Sequence, residues 1–599
     1  MKKYRIAAVI AALGLTAAAV PASPLRAADA VLRYEFEDGS YGQEKVYTEG
    51  WTGNTEEDGT GIDYDLTNAS GGFVFLGEKG HRISVDVEVP EAGLYEMAVC
   101  YCEPSDPNKK VQYLNVNGSN EGELTCPFNT QFEEITSIVR LKAGKNTIEL
   151  ESYWGYTYYD YLTLTPADPA ISALSPTKTL CNPNASPQAQ RLYSYLCEQY
   201  GNHILSGQQE YCGSHNYNQW NDPDNYIKDN EAEFEYILET TGKQPAIRGI
   251  DFLTYRDGAT WDDNAAERAA QWVTEYGGIA AITWHWNVPC TEGSEETAFY
   301  VQSASAQYTD FSVTNAVTEG TWEHAQVMRD IDYVAQKFQI LEDAGAPVLF
   351  RPLHEAEGGW FWWGAEGPEP CKALYRLLYD RLTNEYGLDN IIWVWTGYTT
   401  PASADWYPGD DVVDIVGYDK YNCKDGEPNL SAISSTFYSL VASTDGQKMV
   451  AMTENDSIPT LENLQSTGAA WLWFCPWYQN YLTSEQNNPK ETLTEIYQSE
   501  YCITLDELPD LATYTPPDVQ DDPTQTPTAP SSVTWGDADC DGDTDILDVI
   551  AVNKDQLGSA ALTPEGVTNA DVDRSGDVTF TDAVNILRSL VDLVELPVA

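Results

Sequence analysis

One short segment of the chain combines the residue types that acid catalysis on a sugar requires. A cation, an imidazole and a carboxylate (Arg351, His354 and Glu355) come directly before three tryptophans and one phenylalanine. Aromatic faces stack on the C–H face of a pyranose, and a carboxylic acid desolvated by such walls keeps its proton near neutral pH. The alternative interpretation is a helix cap followed by an aromatic core patch. The segment therefore predicts a proton donor, Glu355, in a sugar-binding site.

Short apolar strands alternate with helical segments on both sides of this site, from residue 175 to residue 515. Periodicity predicts helices at residues 323–343 and 372–385. The eight predicted strands are residues 203–206, 246–250, 279–283, 348–350, 391–394, 413–416, 449–452 and 470–474. Eight strand-helix units over this length predict a (β/α)8 TIM barrel, in which chemistry takes place at the C-terminal ends of the strands.

A second carboxylate, Glu454, ends the seventh predicted strand, whereas Glu355 follows the fourth. Strands four and seven lie across an eight-stranded barrel, so acids at their ends face each other over its axis. At about 5 to 5.5 Å the second acid of a glycosidase is a nucleophile and the anomeric configuration is retained. The pattern alone leaves this distance open. Aromatic or titratable residues end most other strands as well: Arg248, Asp251, Trp284, His285, Trp286, Trp395, Tyr418, Asp419, Trp473 and Trp477.

Residues 31–167 alternate in hydrophobicity with a period of two between Gly, Asn and Pro turns, which predicts a β-sandwich. Glu35 and Glu37 lie on its first strand and Asp160 on its last. If these strands are neighbours in the sheet, the three carboxylates lie close together. Hard oxygen ligands arranged in this way suit calcium, although solvent-exposed glutamates on a strand are the alternative.

The last segment, residues 534–599, contains a duplicated acidic loop. Oxygen side chains occupy loop positions 1, 3, 5 and 12, and a glycine occupies position 6. This is the pattern of an EF-hand calcium loop, and each loop precedes an apolar helix. The segment is therefore predicted to be a small all-α domain with paired EF-hand-like loops. Its predicted calcium ligands are Asp537, Asp539, Asp541 and Asp548 in the first loop and Asp571, Asp573, Ser575 and Asp582 in the second.

Charge and the terminal segments limit the possible partners and location. The 93 acidic residues outnumber the 33 basic residues, for a formal net charge of −60, which disfavours nucleic acid and anionic membranes as partners. Residues 1–30 have the basic, apolar and small-residue regions of a secretory signal peptide, and no later segment is long and apolar enough to span a membrane. Residues 516–533 form a linker rich in Pro, Thr and Asp.

Three known families resemble these segments. The motifs YEFED, GGFVFLG and WGYTYYDYLTL of the first segment resemble family 35 carbohydrate-binding modules, in which Glu35, Glu37 and Asp160 would bind structural calcium. The duplicated loop resembles a dockerin, which implies a cohesin of a cellulosomal scaffold as partner. The motifs PAIRGIDF, AITWHW, RPLHEAEGGWFWWG, DIVGYDKY and MTEN resemble glycoside hydrolase family 26, whose best-known members are retaining endo-β-1,4-mannanases.

The family 26 resemblance implies a role for each matching residue. Glu355 would be the general acid/base and Glu454 the nucleophile. His354 would orient the acid and the sugar, and Tyr418 would hold an oxygen of the nucleophile. The implied subsite residues at the cleavage point are His285, Trp360 and Trp473. The sequence departs from the family in EAEGGW, where Met-Asn-Gly more often follows the glutamate, so the role of Glu357 is open. The reaction itself would need no cofactor.

The expected protein is a secreted, cellulosome-associated endo-β-1,4-mannanase that acts on mannan, glucomannan or galactomannan. Three alternatives remain open. The same residues could act on mixed-linkage β-glucan or on β-1,3-xylan, because the family includes both activities. The cleft could bind polysaccharide without cleaving it, although this would predict a missing acid and neither is missing. The paired loops could also be a calcium sensor rather than an anchor.

Overall fold

The computed structural model contains two compact units, residues 1–516 and 517–599, and describes part of the chain. The described residues are 31–41, 45–47, 66–105, 109–153, 156–211, 226–423, 426–515, 535–538, 544, 546–556, 562, 564–575, 578–590, 593–594 and 596–597. The predicted signal peptide (1–30) and linker (516–533) lie outside these residues, as do Asp539 and Asp541.

The N-terminal module consists of two antiparallel sheets. Its strands are β1 (Leu32–Glu35), β2 (Ser40–Tyr41), β3 (Lys45–Tyr47), β4 (Phe73–Leu76), β5 (Arg82–Val89), β6 (Gly93–Cys102), β7 (Lys109–Val116), β8 (Ser119–Pro127), β9 (Glu133–Leu141), β10 (Gly144–Ser152) and β11 (Thr157–Pro166). One sheet has the order β3-β4-β11-β6-β9, with β1 also paired to β11, and the other has the order β2-β5-β10-β7-β8. Alternate side chains of both sheets form one buried core, which agrees with the predicted sandwich.

The second part of the first unit contains a curled parallel sheet, which we call the barrel sheet. The strands that follow β11 are β12 (Ile204–Gln209), β13 (Ile247–Asp251), β14 (Ile279–Thr283), β15 (Val288–Pro289), β16 (Thr297–Ala298), β17 (Val348–Arg351), β18 (Ile391–Thr396), β19 (Ile415–Lys420), β20 (Met449–Asn455), β21 (Trp473–Phe474) and β22 (Cys502–Ile503). The order is β20-β19-β18-β17-β14-β13-β12-β21, and β22 also pairs with β12. The Leu472 amide donates to the Val450 carbonyl, which joins the two ends of the sheet. This arrangement is consistent with the predicted barrel.

Helices surround the barrel sheet and separate its strands. They are α1 (Pro169–Ala173), α2 (Pro187–Gln199), α3 (Ala232–Thr241), α4 (Ala265–Thr274), α5 (Val313–Ala316), α6 (Trp322–Asp343), α7 (Pro368–Tyr379), α8 (Ser403–Trp406), α9 (Ser434–Ala442), α10 (Leu461–Thr467), α11 (Asn480–Thr483) and α12 (Lys490–Tyr497). A π-helical segment, Asp380–Glu385, continues α7. Short 3₁₀ turns occur at Phe36–Asp38, Tyr226–Asn230, Ala356–Gly358 and Leu505–Glu507. No helix among the described residues has both the length and the apolar character needed to cross a membrane.

Several strands of the barrel sheet extend further than their apolar runs predicted. Strand β13 includes Asp251, β17 includes Arg351, β19 continues to Lys420, and β20 continues through Glu454. These polar residues keep the backbone pairing of the strand because the ladder hydrogen bonds do not depend on side-chain hydrophobicity. The functional residues therefore lie on the ends of the strands themselves.

The N-terminal module packs directly against helix α9, one of the helices that surround the barrel sheet. The Glu121 carboxylate on β8 accepts hydrogen bonds from the Ser434 amide at 3.0 Å and the Ser434 hydroxyl at 2.6 Å. Arg140 on β9 donates to the Tyr438 hydroxyl at 3.1 Å. The buried side chain of Ile138 belongs to the core around the barrel sheet. The module and the barrel sheet therefore share a polar and apolar interface.

The C-terminal unit contains helices α13 (Ile546–Gln556), α14 (Pro564–Ala570) and α15 (Phe580–Ser589). Apolar residues of the three helices, including Val552, Ala570 and Ile586, form its small core. The Thr579 hydroxyl and the Asp582 carboxylate form a capping box at the start of α15. Among its described residues the regular secondary structure of this unit consists of these three helices.

Candidate active site

Glu355 lies in a strained turn directly after β17. Its backbone adopts the left-handed conformation, with φ of 54°, which is unfavourable for a residue with a Cβ atom and persists only where the surrounding structure enforces it. The 3₁₀ turn Ala356–Gly358 follows, and Gly364 packs against the start of this turn. A Cβ atom on Gly364 would be 1.9 Å from the Ala356 carbonyl oxygen. The glycine that ends the aromatic motif is therefore required by the close packing behind Glu355.

Glu454 is buried at the end of β20, and both of its carboxylate oxygens are occupied. Arg351 donates to Oε1, and the Tyr421 hydroxyl donates to Oε2 at 2.7 Å. One carboxylate oxygen from each of Glu355, Asp419 and Glu454 lies within 4.8 Å of the other two. We call these three residues the acidic cluster. Because the inverting geometry requires about 6.5 to 9.5 Å between the two carboxyl groups, this spacing fits the retaining geometry.

Asp419 enters the acidic cluster because of a bulge between β19 and β20. Tyr418 pairs with Met452, but Asp419 pairs with Glu454, so Thr453 is an extra residue on β20. The Thr453 hydroxyl donates to Asp419 at 2.7 Å, and Arg351 donates to the same carboxylate at 2.8 Å. Regular pairing would place Lys420 opposite Glu454. The bulge therefore replaces a cation with a carboxylate beside Glu454.

The proton of the acidic cluster is held by Glu355. Burial raises the pKa of Glu355 well above its ordinary value, and the negative charges of Asp419 and Glu454 raise it further. Asp419 and Glu454 both form ion pairs with Arg351, and burial raises the pKa of Asp419 to about 7. The Trp360 indole donates to Glu355 at 3.0 Å. The arrangement provides one protonated and one ionised glutamate in the same cleft.

Two histidines and an aspartate form a hydrogen-bonded row beside the acidic cluster. His285 Nδ1 lies 2.6 Å from Asp251 Oδ2, and its Nε2 lies 3.1 Å from His354 Nε2. Burial opposes protonation of His285, but Asp251 outweighs it and raises the pKa of His285. Burial and the neighbouring His285 lower the pKa of His354 well below its ordinary value. The hydrogen bond between the two Nε2 atoms therefore joins a histidine with a raised pKa to one with a lowered pKa, and it fixes the orientation of both rings.

An open cavity of about 450 Å³ surrounds the acidic cluster, and we call it the cleft. Its lining is mostly aromatic and includes all the residues predicted to be catalytic or to bind the substrate except Trp473. The lining residues are Glu123, His285, Tyr300, His354, Glu355, Trp360, Phe361, Tyr398, Tyr418, Asp419, Tyr421, Asn422, Glu454, Trp477 and Tyr481. Aromatic walls of this kind suit the apolar faces of sugar rings.

The prediction that Trp473 lines the cleft is wrong. Trp473 is 1% exposed and belongs to the hydrophobic core. Trp477, four residues further on, lines the cleft. A tryptophan on a strand of two residues is placed by the core that surrounds the strand. Trp284, Trp286 and Trp395, near other strand ends, also belong to the hydrophobic core. Arg248 is buried too, in ion pairs with Glu210 and Glu231.

The prediction that Tyr418 holds the nucleophile is also wrong. Tyr418 lines the cleft, but the hydroxyl that reaches Glu454 belongs to Tyr421. Tyr421 lies one residue beyond the end of β19, in the same DIVGYDKY motif. A motif with two tyrosines three residues apart does not indicate which of them turns towards the acid. Glu357, whose role was open, accepts from the Tyr398 amide at 3.0 Å and the Ser403 hydroxyl at 2.6 Å.

Two further groups of carboxylates match the predicted calcium sites. One oxygen from each of Glu35, Glu37 and Asp160 lies within 4.8 Å of the other two. The predicted pairing of first and last strands is present, because β1 pairs with β11. The same spacing holds for Asp571, Asp573 and Asp582 in the C-terminal unit. The Ser575 amide donates to Asp571 and Asp573, at 2.9 and 3.0 Å.

The first loop of the C-terminal unit is described only in part. Asp548 Oδ1 accepts from the Ala538 amide at 2.7 Å. Asp537 has a buried carboxylate oxygen with no hydrogen-bond partner among the described residues.

A parallel barrel sheet that presents two close glutamates, one protonated and one ionised, in an aromatic cleft defines a glycoside hydrolase. Comparison with known proteins agrees with this class. The chain belongs to glycosyl hydrolase family 26, because the model of that family matches residues 181–507. Residues 48–167 match the model of the carbohydrate binding module of family 35.

Known relatives share both parts of the first unit. A mannan endo-1,4-beta-mannosidase of Thermothelomyces thermophilus is 34% identical over 84% of this chain and 95% of its own length. Mannan endo-1,4-beta-mannosidase B of Piromyces sp is 35% identical over 78% of this chain and 77% of its own. The crystal structure of a ruminal GH26 endo-beta-1,4-mannanase is 36% identical, with a TM-score of 0.57, over 80% of this chain and 98% of that one.

The geometry indicates that Tyr421, and not Tyr418, forms the hydrogen bond that orients the nucleophile Glu454. We expect Tyr421→Phe to lower kcat for glycoside hydrolysis about 10- to 100-fold, because a hydrogen bond to a charged group contributes about 1.5 to 3 kcal/mol. Tyr418→Phe is the matched control and leaves the hydrogen bonds of Glu454 intact. Steady-state kinetics of both variants checks this, and a larger loss of kcat in Tyr418→Phe would contradict the assignment.

The pH profile of the enzyme depends on the charge of Asp419. Activity is lost as pH rises through the pKa of Glu355, because the acid must be protonated. Asp419→Asn removes one of the negative charges that raise this pKa. We therefore expect the basic limb of kcat/KM against pH to move to lower pH in this variant. A basic limb that is unchanged or moves to higher pH would show that Asp419 does not act on Glu355.

Proposed function

We propose that this chain is an endo-acting, retaining hydrolase of β-1,4-mannosidic bonds in mannan, glucomannan or galactomannan. The observation that carries the proposal is that one carboxylate oxygen of Glu355 and one of Glu454 lie within 4.8 Å of each other. The names of the two relatives and of the ruminal structure support mannan as the polymer.

In the proposed reaction, Glu355 is the general acid/base and Glu454 is the nucleophile. Glu355 protonates the glycosidic oxygen while Glu454 attacks the anomeric carbon, through an oxocarbenium-like transition state. The product is a covalent glycosyl-enzyme, and the leaving sugar takes the proton of Glu355. This ester removes the negative charge of Glu454, so the pKa of Glu355 falls and its carboxylate becomes the base that activates water.

The neighbours of the two acids support these roles. Arg351 and Tyr421 bind the two oxygens of Glu454, which holds the carboxylate in the orientation needed for attack. Trp360 donates to Glu355, which limits its rotation within the cleft. His285 and His354 line the same cleft, where hydrogen bonds to Asp251 and to each other hold their rings in place. Positioning of this kind contributes a large part of enzymatic rate acceleration.

Two other activities remain alternatives for the same acids, namely the hydrolysis of mixed-linkage β-glucan and of β-1,3-xylan. A short segment, 13% of this chain, is 38% identical to a beta-1,3-xylanase of Alcaligenes sp, whereas the mannosidase relatives cover far more. Reducing-sugar release from glucomannan, lichenan and β-1,3-xylan separates the three. A binding protein without activity is disfavoured because both acids are present with the required spacing.

The calcium site proposed for the N-terminal module consists of Glu35, Glu37 and Asp160. Glu37 Oε2 is buried and has no hydrogen-bond partner among the described residues. Burial raises the pKa of both Glu37 and Asp160. An unsatisfied carboxylate oxygen beside two further carboxylates fits a hard cation such as calcium. Bound calcium would hold β1 and β11 together and has no part in hydrolysis.

The C-terminal unit is proposed to be a calcium-loaded dockerin that anchors the enzyme to a cohesin of a cellulosomal scaffold. The carboxylates of the two loops are the proposed ligands. Well-exposed apolar side chains on α13 and α15 support a surface that docks onto another protein. These side chains are Ile546, Ile550, Phe580, Val584 and Leu587. Secretion, which the sequence of residues 1–30 indicates, would bring this unit into contact with such a scaffold.

The two catalytic roles predict different responses to the leaving group. We expect Glu454→Ala to lose kcat on the order of 10⁴-fold or more with every substrate, because no ester can form. Glu355→Ala should lose comparable activity on mannan but much less on an aryl mannoside whose leaving group needs no proton. Glu88→Ala, on an exposed strand position of the module, is the control. Equal losses of Glu355→Ala on both substrates would contradict its role as the acid.

The calcium proposal predicts three ions for each full-length chain, one in the module and two in the C-terminal unit. Isothermal titration of calcium-depleted protein measures this stoichiometry. Glu37→Gln and Asp582→Ala should each lose one ion, whereas Glu88→Gln should lose none. Asp582→Ala should also weaken calcium-dependent capture by a cohesin. Stoichiometry unchanged in both variants, or no binding to any cohesin of the producing organism, would contradict these assignments.

A further inference from the structure

One residue of the cleft comes from the N-terminal module and not from the barrel sheet. Glu123, on β8, lines the same cavity as Glu355 and Glu454. It makes no hydrogen bond to the acidic cluster. The sequence contains no signal for this contact, because Glu123 precedes Glu355 by more than two hundred residues and belongs to another domain.

The position of Glu123 is fixed by the interface between β8 and helix α9. Leu124 and Cys126 on β8 point into the core of the module. Alternation along the strand therefore turns Glu123 to the opposite face. Glu121 lies at a bulge, where it has no partner on β7. Glu121 bonds to the amide and the hydroxyl of Ser434. The Asn429 side chain also donates to the Asn120 side chain at 3.0 Å. This bond holds the start of β8 against the segment between β19 and α9.

The carboxyl group of Glu123 has free hydrogen-bonding capacity. Within the described residues it accepts no hydrogen bond, although Glu121, two residues earlier, accepts two from Ser434. Burial raises the pKa of Glu123 to about 7, and the opposing charge of Lys109 only partly offsets this. A desolvated carboxyl group without a partner has an energetic cost that a ligand hydroxyl can remove.

We propose that Glu123 is a substrate-binding residue, supplied by the module, that forms a hydrogen bond with a hydroxyl of the polysaccharide away from the bond that is cleaved. This inference rests on the proposed mannanase function. Asn422 and Tyr418 line the same cavity, and Glu123 is close enough to Tyr418 to raise the pKa of its hydroxyl. The module therefore contributes directly to recognition of the sugar chain at the active site, in addition to any binding site of its own.

The test compares a long and a short substrate in the full-length enzyme. We expect Glu123→Ala to lower kcat/KM for mannohexaose about tenfold, because a hydrogen bond to a carboxyl group is lost. An aryl β-mannobioside, which is too short to fill the cleft, should be cleaved at the wild-type rate. Glu123→Gln, which keeps an acceptor and a donor, should recover part of the loss. Glu88→Ala is the matched control on the same sheet, three strands away from β8.

The outcomes separate the two proposals. Equal kcat/KM of wild type and Glu123→Ala on mannohexaose would overturn the role of Glu123 and leave the mannanase assignment intact. An equal loss on both substrates would overturn it too, because a disturbed interface affects both alike, and a lowered melting temperature in Glu123→Ala would identify that cause. A wild-type enzyme that is active on neither substrate would overturn the proposed function, and the inference with it.

Discussion

The ion pairs of Arg351 with Glu454 and Asp419 are the interaction on which the site depends. Three carboxylates within 4.8 Å of one another repel each other strongly in a desolvated cleft. A single guanidinium, buried at the end of β17, forms ion pairs with two of them. The third, Glu355, keeps its proton. One cation thus creates both an acid and a nucleophile from residues with the same side chain.

The rest of the fold serves this arrangement. Parallel strands bring Arg351, Asp419 and Glu454 to one edge of the barrel sheet, and the bulge at Thr453 aligns the last two. Close packing of Gly364 supports the strained turn at Glu355. The strain at Glu355, on the order of 1 to 3 kcal/mol, is tolerated because the surrounding aromatic core determines the turn. Rigid placement of this kind is what hydrolysis by two carboxylates requires.

Much of this architecture could be predicted from local pattern. Apolar runs of strand length indicated the barrel sheet, and the polar residues after them indicated which edge carries the chemistry. The pattern did not distinguish Tyr421 from Tyr418, because a bulge and a strand end decide which hydroxyl reaches Glu454. It placed Trp473 in the cleft, because an apolar residue at a strand end looks the same whether it faces core or solvent. Glu123 could not be predicted, since its contact depends on domain packing.

The central claim is that Glu454 attacks the sugar directly and that the configuration is retained. Proton NMR of the first product released from a β-mannan oligosaccharide tests this most directly, if spectra are recorded before mutarotation. The account predicts that the β-anomer of the new reducing end appears first and the α-anomer only later. Initial formation of the α-anomer would show that water attacks in a single step and would contradict the assignment of Glu454 as nucleophile.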